Sequence, residues 1–130
     1  MKIIDAKNCV AGRIASYVAK ESLKGEEIVV VNCENAILTG GKKNIKKEYT
    51  TKRQRLGPGL RGPKYPKTSE RVLKRTIRGM LPEHRFGKGK EAFKRIRCYN
   101  GFPKEFERKE VIQISKVKTD KYARVKDISR

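Results

Sequence analysis

The segment "EIVVVNC", residues 27–33, decides the fold class of this chain. It contains four consecutive apolar residues, Ile28 to Val31, most of them β-branched. Unbroken apolarity, in place of alternation, is typical of a strand covered on both faces, as in parallel sheets. The sequence therefore predicts a central buried strand here.

The residues before this strand complete a βαβ unit. The segment "KIID", residues 2–5, predicts a short strand, and residues 10–24 predict a helix with Ile14 and Val18 on its apolar edge. Gly25 stands where a C-terminal cap belongs. A strand, a helix and a buried strand in this order predict an α/β fold with a right-handed crossover.

Further elements follow along the chain. Residues 34–49, "ENAILTGGKKNIKKEY", turn through two glycines into a basic helical stretch. Helices are also predicted from residue 70 to a stop at Pro82 and over residues 89–95, and a strand is predicted over residues 96–99. Residues 110–118, "EVIQISKVK", fit either a strand or an extended arm.

Two segments are predicted to be irregular within a single domain, residues 1–130. Residues 52–67 form a basic extended loop, because six glycines and prolines break any regular helix or ladder there. Repulsion among the bases of this loop has no evident internal compensation, so we expect it to be disordered before a partner binds. Residues 119–130 are predicted to form a flexible C-terminal tail.

The positive charge is concentrated in the middle of the chain. The formal net charge is +20, and residues 41–98 hold 20 Lys or Arg and four acids, against 14 and 10 in the other 72 residues. Self-repulsion of this size favours an anionic partner: nucleic acid first, an anionic membrane surface second. The apolar runs fall short of the roughly 18 residues of a membrane-spanning helix. The N-terminus lacks the apolar core of a signal peptide, so we interpret the chain as cytoplasmic.

The segment "ERVLKRTIRGMLPEH", residues 70–84, predicts a helix with one basic and one apolar edge. We expect the apolar edge, Leu73, Ile77 and Met80, to dock the helix on the sheet. The basic edge is expected to contact phosphates without contributing to stability; it comprises Arg71, Lys74, Arg75 and Arg78. Basic residues spread over a loop and several helices suit folded RNA better than one groove of a DNA duplex.

Other features of the basic region have two readings each. Tyr49, Tyr65 and Phe86 either stack on unpaired bases or pin the loop to the core. The segment "LTGGKKN", residues 38–44, places glycines and lysines at a predicted helix start. Such a start favours an RNA phosphate, although a plain turn with solvated lysines fits as well. A nucleotide-binding site is disfavoured because the P-loop pattern is absent.

Cysteine spacing and the scattered acids give no sign of a chemical centre. Cys9, Cys33 and Cys98 are far apart and odd in number, so buried, inert thiols are expected instead of disulfides. A zinc site formed by these thiols and His84 lacks the usual close-spaced pair of ligands. We therefore predict no catalytic residues, no metal and no cofactor, and we expect the chain not to be an enzyme.

Four motifs occur in an order that is typical of one family: "DAKNCVAGRIAS" (5–16), "VVVNCENAILTG" (29–40), "KKEY" (46–49) and "IRGMLP" (77–82). By these motifs the chain resembles the universal L13 family of large-subunit ribosomal proteins, in its archaeal and eukaryotic branch. The resemblance implies a three-layer α/β/α core with a small, largely parallel sheet. It also implies a structural component of the large subunit that stabilises folded large-subunit rRNA during assembly and in the mature ribosome.

The partners implied by the resemblance are large-subunit ribosomal RNA and neighbouring large-subunit ribosomal proteins, with no membrane partner and no homo-oligomer. The alternatives are a free RNA- or DNA-binding regulator and a nucleotide-using enzyme built around residues 39–43. The predicted RNA-binding residues are the bases of residues 41–98 except Arg95, and one arginine at the start of the first helix. They are Arg13, Lys42, Lys43, Lys46, Lys47, Lys52, Arg53, Arg55, Arg61, Lys64, Lys67, Arg71, Lys74, Arg75, Arg78, Arg85, Lys88, Lys90, Lys94 and Arg97.

Overall fold

A four-stranded parallel sheet organises the fold. The computed structural model describes residues 1–55, 57–114 and 121–129. In chain order the elements are β1 (Lys2–Asp5), α1 (Ala11–Leu23), β2 (Ile28–Val31), β3 (Ile37–Thr39), α2 (Lys42–Gln54), α3 (Ser69–Gly79), α4 (Gly87–Lys94), β4 (Ile96–Cys98), β5 (Val111–Ile112), β6 (Tyr122–Arg124) and α5 (Val125–Ile128). The sheet has the order β4-β2-β1-β5, and each neighbouring pair is parallel. The predicted α/β fold with a small, largely parallel sheet is confirmed.

Strand β2 lies at the centre of this sheet, as predicted. All four of its residues are buried, between β1 on one side and β4 on the other. Ile28 and Val30 belong to the main core, beneath α1 and α3. Val29 and Val31 face the opposite side, where Phe106 of a short 3₁₀ helix, Lys104–Phe106, covers them. Burial on both faces explains why the strand reads as an unbroken apolar run.

Helix α1 also has the predicted position. Ile14 and Val18 are fully buried, and Gly25 follows the helix with a φ of +100°, in the left-handed region that glycine adopts without strain. The end of the helix is tied to its surroundings by two polar contacts. Lys2 of β1 donates to the carboxylate of Glu21, and Arg95 donates to the carbonyl of Ser22 at 3.1 Å.

Helix α3 ends at Gly79, before the predicted stop at Pro82, and this changes its apolar edge. Val72, Leu73 and Ile77 are buried, in contact with α1, β4 and α5. Met80 follows the last helical residue and is 46% exposed, so its predicted docking role is wrong. The helical repeat would place Met80 on the buried side, three residues after Ile77, but the helix ends at Gly79 and the repeat stops there.

The C-terminal segment is ordered into two elements where we expected a flexible tail over residues 119–130. Strand β6 pairs antiparallel with β3, and Val125 and Ile128 of α5 are buried in the main core. The N–H of Val125 donates to the carbonyl of Ala36 at 2.9 Å. Burial and ladder hydrogen bonds thus hold residues 122–128 against the domain; residues 119, 120 and 130 lie outside the described ranges.

The remaining predictions are met in part. The basic helix α2 extends through residues 52–54, which we had assigned to the loop, and a 3₁₀ helix, Pro58–Leu60, lies within the loop. Of residues 110–118, Val111–Ile112 form a strand and 115–118 are outside the described ranges. None of the helices in those ranges is both long and apolar enough to cross a membrane.

The three thiols are free, as expected. Cys9 and Cys33 are buried and Cys98 is half-buried. A hydrogen bond with Cys98 and burial raise the pKa of the Cys33 thiol far above its usual range, because both disfavour the thiolate. A thiol held neutral in this way is a poor nucleophile, which agrees with an inert, structural role for Cys33.

The docking edge of α3 can be tested with a pair of truncations. Leu73→Ala is expected to lower the free energy of unfolding by about 2–5 kcal/mol, since it removes a fully buried side chain. Met80→Ala is the matched control, and thermal or urea denaturation is the measurement. A loss for Met80→Ala equal to that for Leu73→Ala would contradict the revised edge.

Candidate nucleic-acid interface

Helix α2 presents a basic face with a narrow apolar stripe beneath it. Ile45 and Tyr49, one turn apart, are half-buried against the main core, and the described helix has no fully buried residue. Lys43, Lys46 and Lys47 are exposed on the remaining surface. The sequence supports a helix with so little burial because it contains good helix formers and no proline or glycine.

The loop after α2 is fixed to the neighbouring helices at its second half. Arg53 donates from Nε to the carbonyl of Pro66 at 3.3 Å, and Arg75 donates from Nη1 to the carbonyl of Lys64 at 3.4 Å. The guanidinium of Arg75 also lies 4.1 Å from the centre of the Tyr65 ring, and the ammonium of Lys52 lies 5.6 Å from it. We call Lys52, Arg53, Tyr65 and Arg75 the loop clamp.

The loop clamp supplies the compensation that we did not expect from the sequence. Carbonyl oxygens and the electron-rich face of Tyr65 attract the cations that would otherwise only repel one another. The expectation of uncompensated repulsion is therefore wrong for Lys52 and Arg53, whose cations lie against the Tyr65 ring and the Pro66 carbonyl. Residues 52–54 are helical and residues 64–66 are held by the loop clamp; disorder of the rest of the segment before RNA arrives stays a prediction.

The three aromatic residues of the basic region differ in exposure. Tyr49 is half-buried, and its burial raises the pKa of its hydroxyl; the ammonium of Lys52 lies 5.4 Å from its ring. Tyr65 is half-buried within the loop clamp. Phe86, at the start of α4, is 68% exposed. Of the two predicted roles, Tyr49 therefore fits that of pinning the loop to the core, whereas the ring of Phe86 is accessible to a partner.

The basic edge of α3 borders a cleft of about 360 Å³ between the loop and α4. Two aromatic rings lie across this cleft, Tyr65 from the loop and Phe93 from α4, and the ammonium of Lys74 is 4.8 Å from the Phe93 ring centre. The complete lining is Lys64, Tyr65, Pro66, Arg71, Lys74, Arg75, Arg78 and Phe93. These eight residues include five bases and no acid, so the cleft suits an anion.

Helix α4 is held by close contact with the segment before it. A Cβ atom added to Gly89 would lie 2.3 Å from the carbonyl oxygens of both Pro82 and Glu83. Glycine therefore allows the turn over residues 82–86 to pack directly on the helix. Arg85 of this turn and Lys88 and Lys90 at the start of α4 are all exposed.

The four acids of residues 41–98 are already engaged. Glu48 pairs with Lys52 at 2.9 Å and Glu91 with Arg95 at 3.9 Å, one turn apart in each case. Glu70 accepts a hydrogen bond from Asn100, and Glu83 accepts one from the N–H of Arg85. These contacts neutralise few of the 20 bases, so the surface keeps a strong positive potential.

The structure distributes the predicted binding residues over several elements. Most lie on α2, the loop, α3 and the α4 region, which the loop clamp and the cleft bring together. Arg97 is separate, because the alternation of β4 places it beside Val29, on the opposite face of the sheet from α3. Lys42 pairs with Asp127 of α5 at 3.6 Å, and Arg13 lies exposed on α1.

One residue of the cleft was missed at the sequence level. Phe93 follows buried Ala92 in the short helix "GKGKEAFK", residues 87–94, and reads there as another core residue. No local pattern separates an aromatic residue that borders a cleft from one that faces the core. Its position next to Lys74 depends on the packing of α4 beside α3, which only the fold reveals.

Comparison with known proteins identifies close relatives. The model of the family described as Ribosomal protein L13 matches residues 1–105. The chain is 44% identical to a protein of Methanocaldococcus jannaschii over 133 residues, covering all of this chain and 96% of the relative. It is 44% identical to one of Thermoplasma volcanium over 121 residues, covering 93% and 88%. Both relatives carry the name large ribosomal subunit protein uL13.

The internal role of Arg75 can be separated from a role in binding. Arg75→Ala should speed tryptic cleavage after Lys64, since it removes the hydrogen bond to the Lys64 carbonyl and the stacking on Tyr65. It should also lower the free energy of unfolding by about 1 kcal/mol. Arg78→Ala, on the same edge and with no side-chain hydrogen bond or ion pair within the described ranges, is the matched control. Equal cleavage rates in the two variants would mean that Arg75 does not hold the loop.

The packing at Gly89 can be tested against another helical glycine. Gly89→Ala should destabilise the protein by about 1–3 kcal/mol or more, because the backbone carbonyls of residues 82 and 83 must move. Gly79→Ala, where an added Cβ meets nothing within 4 Å, should be neutral or slightly stabilising. Chemical denaturation of both variants measures the difference. Similar stabilities would exclude the close contact.

Proposed function

Because the chain belongs to the ribosomal protein L13 family, we propose that it is a structural component of the large ribosomal subunit that binds large-subunit ribosomal RNA. It binds and stabilises folded RNA during assembly and in the mature ribosome, in the cytoplasm. The family is one of structural ribosomal proteins, so the chain is not an enzyme.

The observation that carries this proposal is the continuous basic surface formed by α2, the loop, α3 and α4. Twenty bases and four acids lie within residues 41–98, and each acid already forms an ion pair or accepts a hydrogen bond within the protein. An RNA backbone supplies the missing negative charge over the same span. Contacts of this kind position a protein on RNA without reading its sequence.

The shape of this surface favours folded RNA over a regular duplex. Its bases come from two longer helices, a loop and a short helix, which bend around a cleft. A DNA-reading protein usually concentrates base contacts on one helix or ribbon that fits the major groove. Single strands, bulges and junctions of folded RNA offer the irregular phosphate positions that match a curved surface.

The start of α2 is poorly suited to bind a nucleoside triphosphate, as the alternative of an enzyme built around residues 39–43 would require. Lys42 is the first residue of α2, and its ammonium pairs with the carboxylate of Asp127 at 3.6 Å. A carboxylate at this position repels a nearby phosphate and occupies the lysine that would bind it. This contact supports a role for Lys42 in holding α5, and it argues against the enzyme alternative.

The second class of partner is a set of neighbouring proteins of the large subunit. Large apolar side chains remain exposed at Leu60, Phe86 and Phe102. Isolated exposed apolar residues are normal in proteins, yet burial against a ribosomal neighbour or RNA would remove them from water. We propose no membrane partner and no homo-oligomer.

Charge reversal on α3 tests the proposal. Arg71→Glu combined with Arg78→Glu should weaken binding to a large-subunit rRNA transcript at least tenfold and lower the salt slope by about two, since two phosphate contacts are lost. The double variant should also be depleted from large-subunit fractions in sedimentation. Lys20→Glu combined with Lys104→Glu is the control, with the same change in net charge but outside residues 41–98.

The two double variants distinguish a defined surface from general attraction. Equal weakening by both pairs would mean that net charge alone governs binding, and the proposed surface would be wrong. Release of the wild-type protein from large subunits at moderate salt, into a free pool, would favour the alternative of a free regulator. Association that survives to high salt supports an integral ribosomal protein.

A further inference from the structure

We propose that the cleft between the loop clamp and helices α3 and α4 binds one unpaired nucleotide of the RNA. This inference rests on the proposed function and adds to it a specific site. The site combines ring surfaces for a base with cations for the phosphates on either side. Within the basic surface, this cleft brings two rings and five bases together.

The rings give the cleft its capacity to hold a base. Tyr65 and Phe93 both border it, and both are half-buried, so their positions are fixed by packing while part of each ring stays accessible. Arg75 extends the stacking surface, because its guanidinium already lies 4.1 Å from the Tyr65 ring centre. Unpaired RNA bases commonly stack on aromatic rings and on guanidinium planes.

The size of the cleft agrees with a single nucleotide. Its volume of about 360 Å³ falls at the lower end of the roughly 300–1,000 Å³ that ligand pockets occupy. A stretch of stacked duplex would not enter a cleft this small. A nucleotide turned out of a bulge, loop or junction presents one base, one sugar and its flanking phosphates, which is the unit that the site can take.

The cations explain why the ligand carries phosphate. Lys64, Arg71 and Arg78 line the cleft from two sides, and the ammonium of Lys74 lies over Phe93. A neutral aromatic ligand would leave the repulsion among these groups unrelieved. A phosphate on each side of the bound base neutralises them, and it can draw the flexible Lys74 side chain away from the Phe93 ring.

The lining also predicts that the site tolerates different bases. Among its eight residues only the Tyr65 hydroxyl can accept a hydrogen bond from a base edge through its side chain; the others offer cations or apolar surface. Arginine and lysine can read the acceptors of guanine, but here the flanking phosphates engage these cations, and stacking itself does not distinguish the bases. The site should therefore select an unpaired nucleotide within a chain, with little preference for its identity and low affinity for a free mononucleotide.

Three RNA hairpins of equal length test the proposal with the full-length protein. One carries a single-nucleotide bulge, the second carries an abasic residue at that bulge, and the third is fully paired. We expect the wild-type protein to bind the bulged hairpin about tenfold more tightly than the other two, since stacking of one base supplies an effect of this order. Changing the bulged base among the four nucleotides should alter affinity less than removing it.

Two aromatic variants locate the effect. Phe93→Leu removes the ring but keeps apolar volume, and it should abolish the preference for the bulge while leaving affinity for the paired hairpin unchanged. Phe86→Leu is the control, because Phe86 is an exposed ring of the same basic region that does not line the cleft. Retention of the preference in Phe93→Leu, or its equal loss in Phe86→Leu, would overturn the assignment of the site.

The outcomes separate failure of this inference from failure of the proposed function. Equal wild-type affinity for the three hairpins, with tight binding to the rRNA transcript, overturns the nucleotide site alone. Absence of binding to every RNA overturns the proposed function as well. Adenosine monophosphate that binds more tightly than the bulged hairpin would identify a site for free nucleotides and overturn the RNA assignment.

A second measurement does not depend on the folding of any variant. Ultraviolet irradiation of the wild-type protein with the rRNA transcript should yield nucleotide adducts on the peptides that contain Tyr65 or Phe93. Adducts confined to other peptides, such as the one with Phe86, would overturn the inference.

Discussion

Burial of β2 on both faces and between two parallel neighbours is the constraint on which the rest of this structure depends. A parallel neighbour cannot be reached by a tight turn, so the chain must leave the sheet and return in the same direction. The crossover from β1 to β2 is α1, which is short and ordinary. The crossover from β2 to β4 spans residues 32–95 and contains α2, the loop, α3 and α4. The basic surface is therefore one long crossover connection, supported by a small sheet.

This arrangement lets a chain with a net charge of +20 fold without neutralising most of its bases. The apolar residues of α3 form part of the same core as β2, whereas its bases point away from it. Lys52 pairs with Glu48, but carbonyl oxygens and aromatic rings attract Arg53, Lys74 and Arg75. Backbone carbonyls and rings bring cations into fixed positions without cancelling their charge, and the field available to an RNA backbone is preserved.

The sequence predicted those parts of the fold whose signal is local. The unbroken apolar run of β2 and the spacing of Ile14 and Val18 follow directly from burial in two neighbouring elements. The role of Tyr122 to Ile128 depends on pairing with β3, more than 80 positions earlier, and a short segment rich in charge gives no local sign of it. Met80 was misassigned for a related reason, since the helical pattern continues in the residues beyond the point where the helix ends. Phe93 and the second role of Arg75 likewise depend on which elements meet.

The loop clamp shows why a count of positive charges does not measure affinity for RNA. Arg71 and Arg78 present their charge to a partner directly. In contrast, Arg53 donates a hydrogen bond to the carbonyl of Pro66, and Arg75 donates one to the carbonyl of Lys64. These two arginines keep their charge but have fewer N–H groups free to reach a phosphate, and they fix the shape against which RNA docks. A surface shaped before binding loses less conformational entropy when the complex forms. The bases of the central region therefore divide into those that attract RNA and those that prepare the site for it, and only the fold distinguishes them.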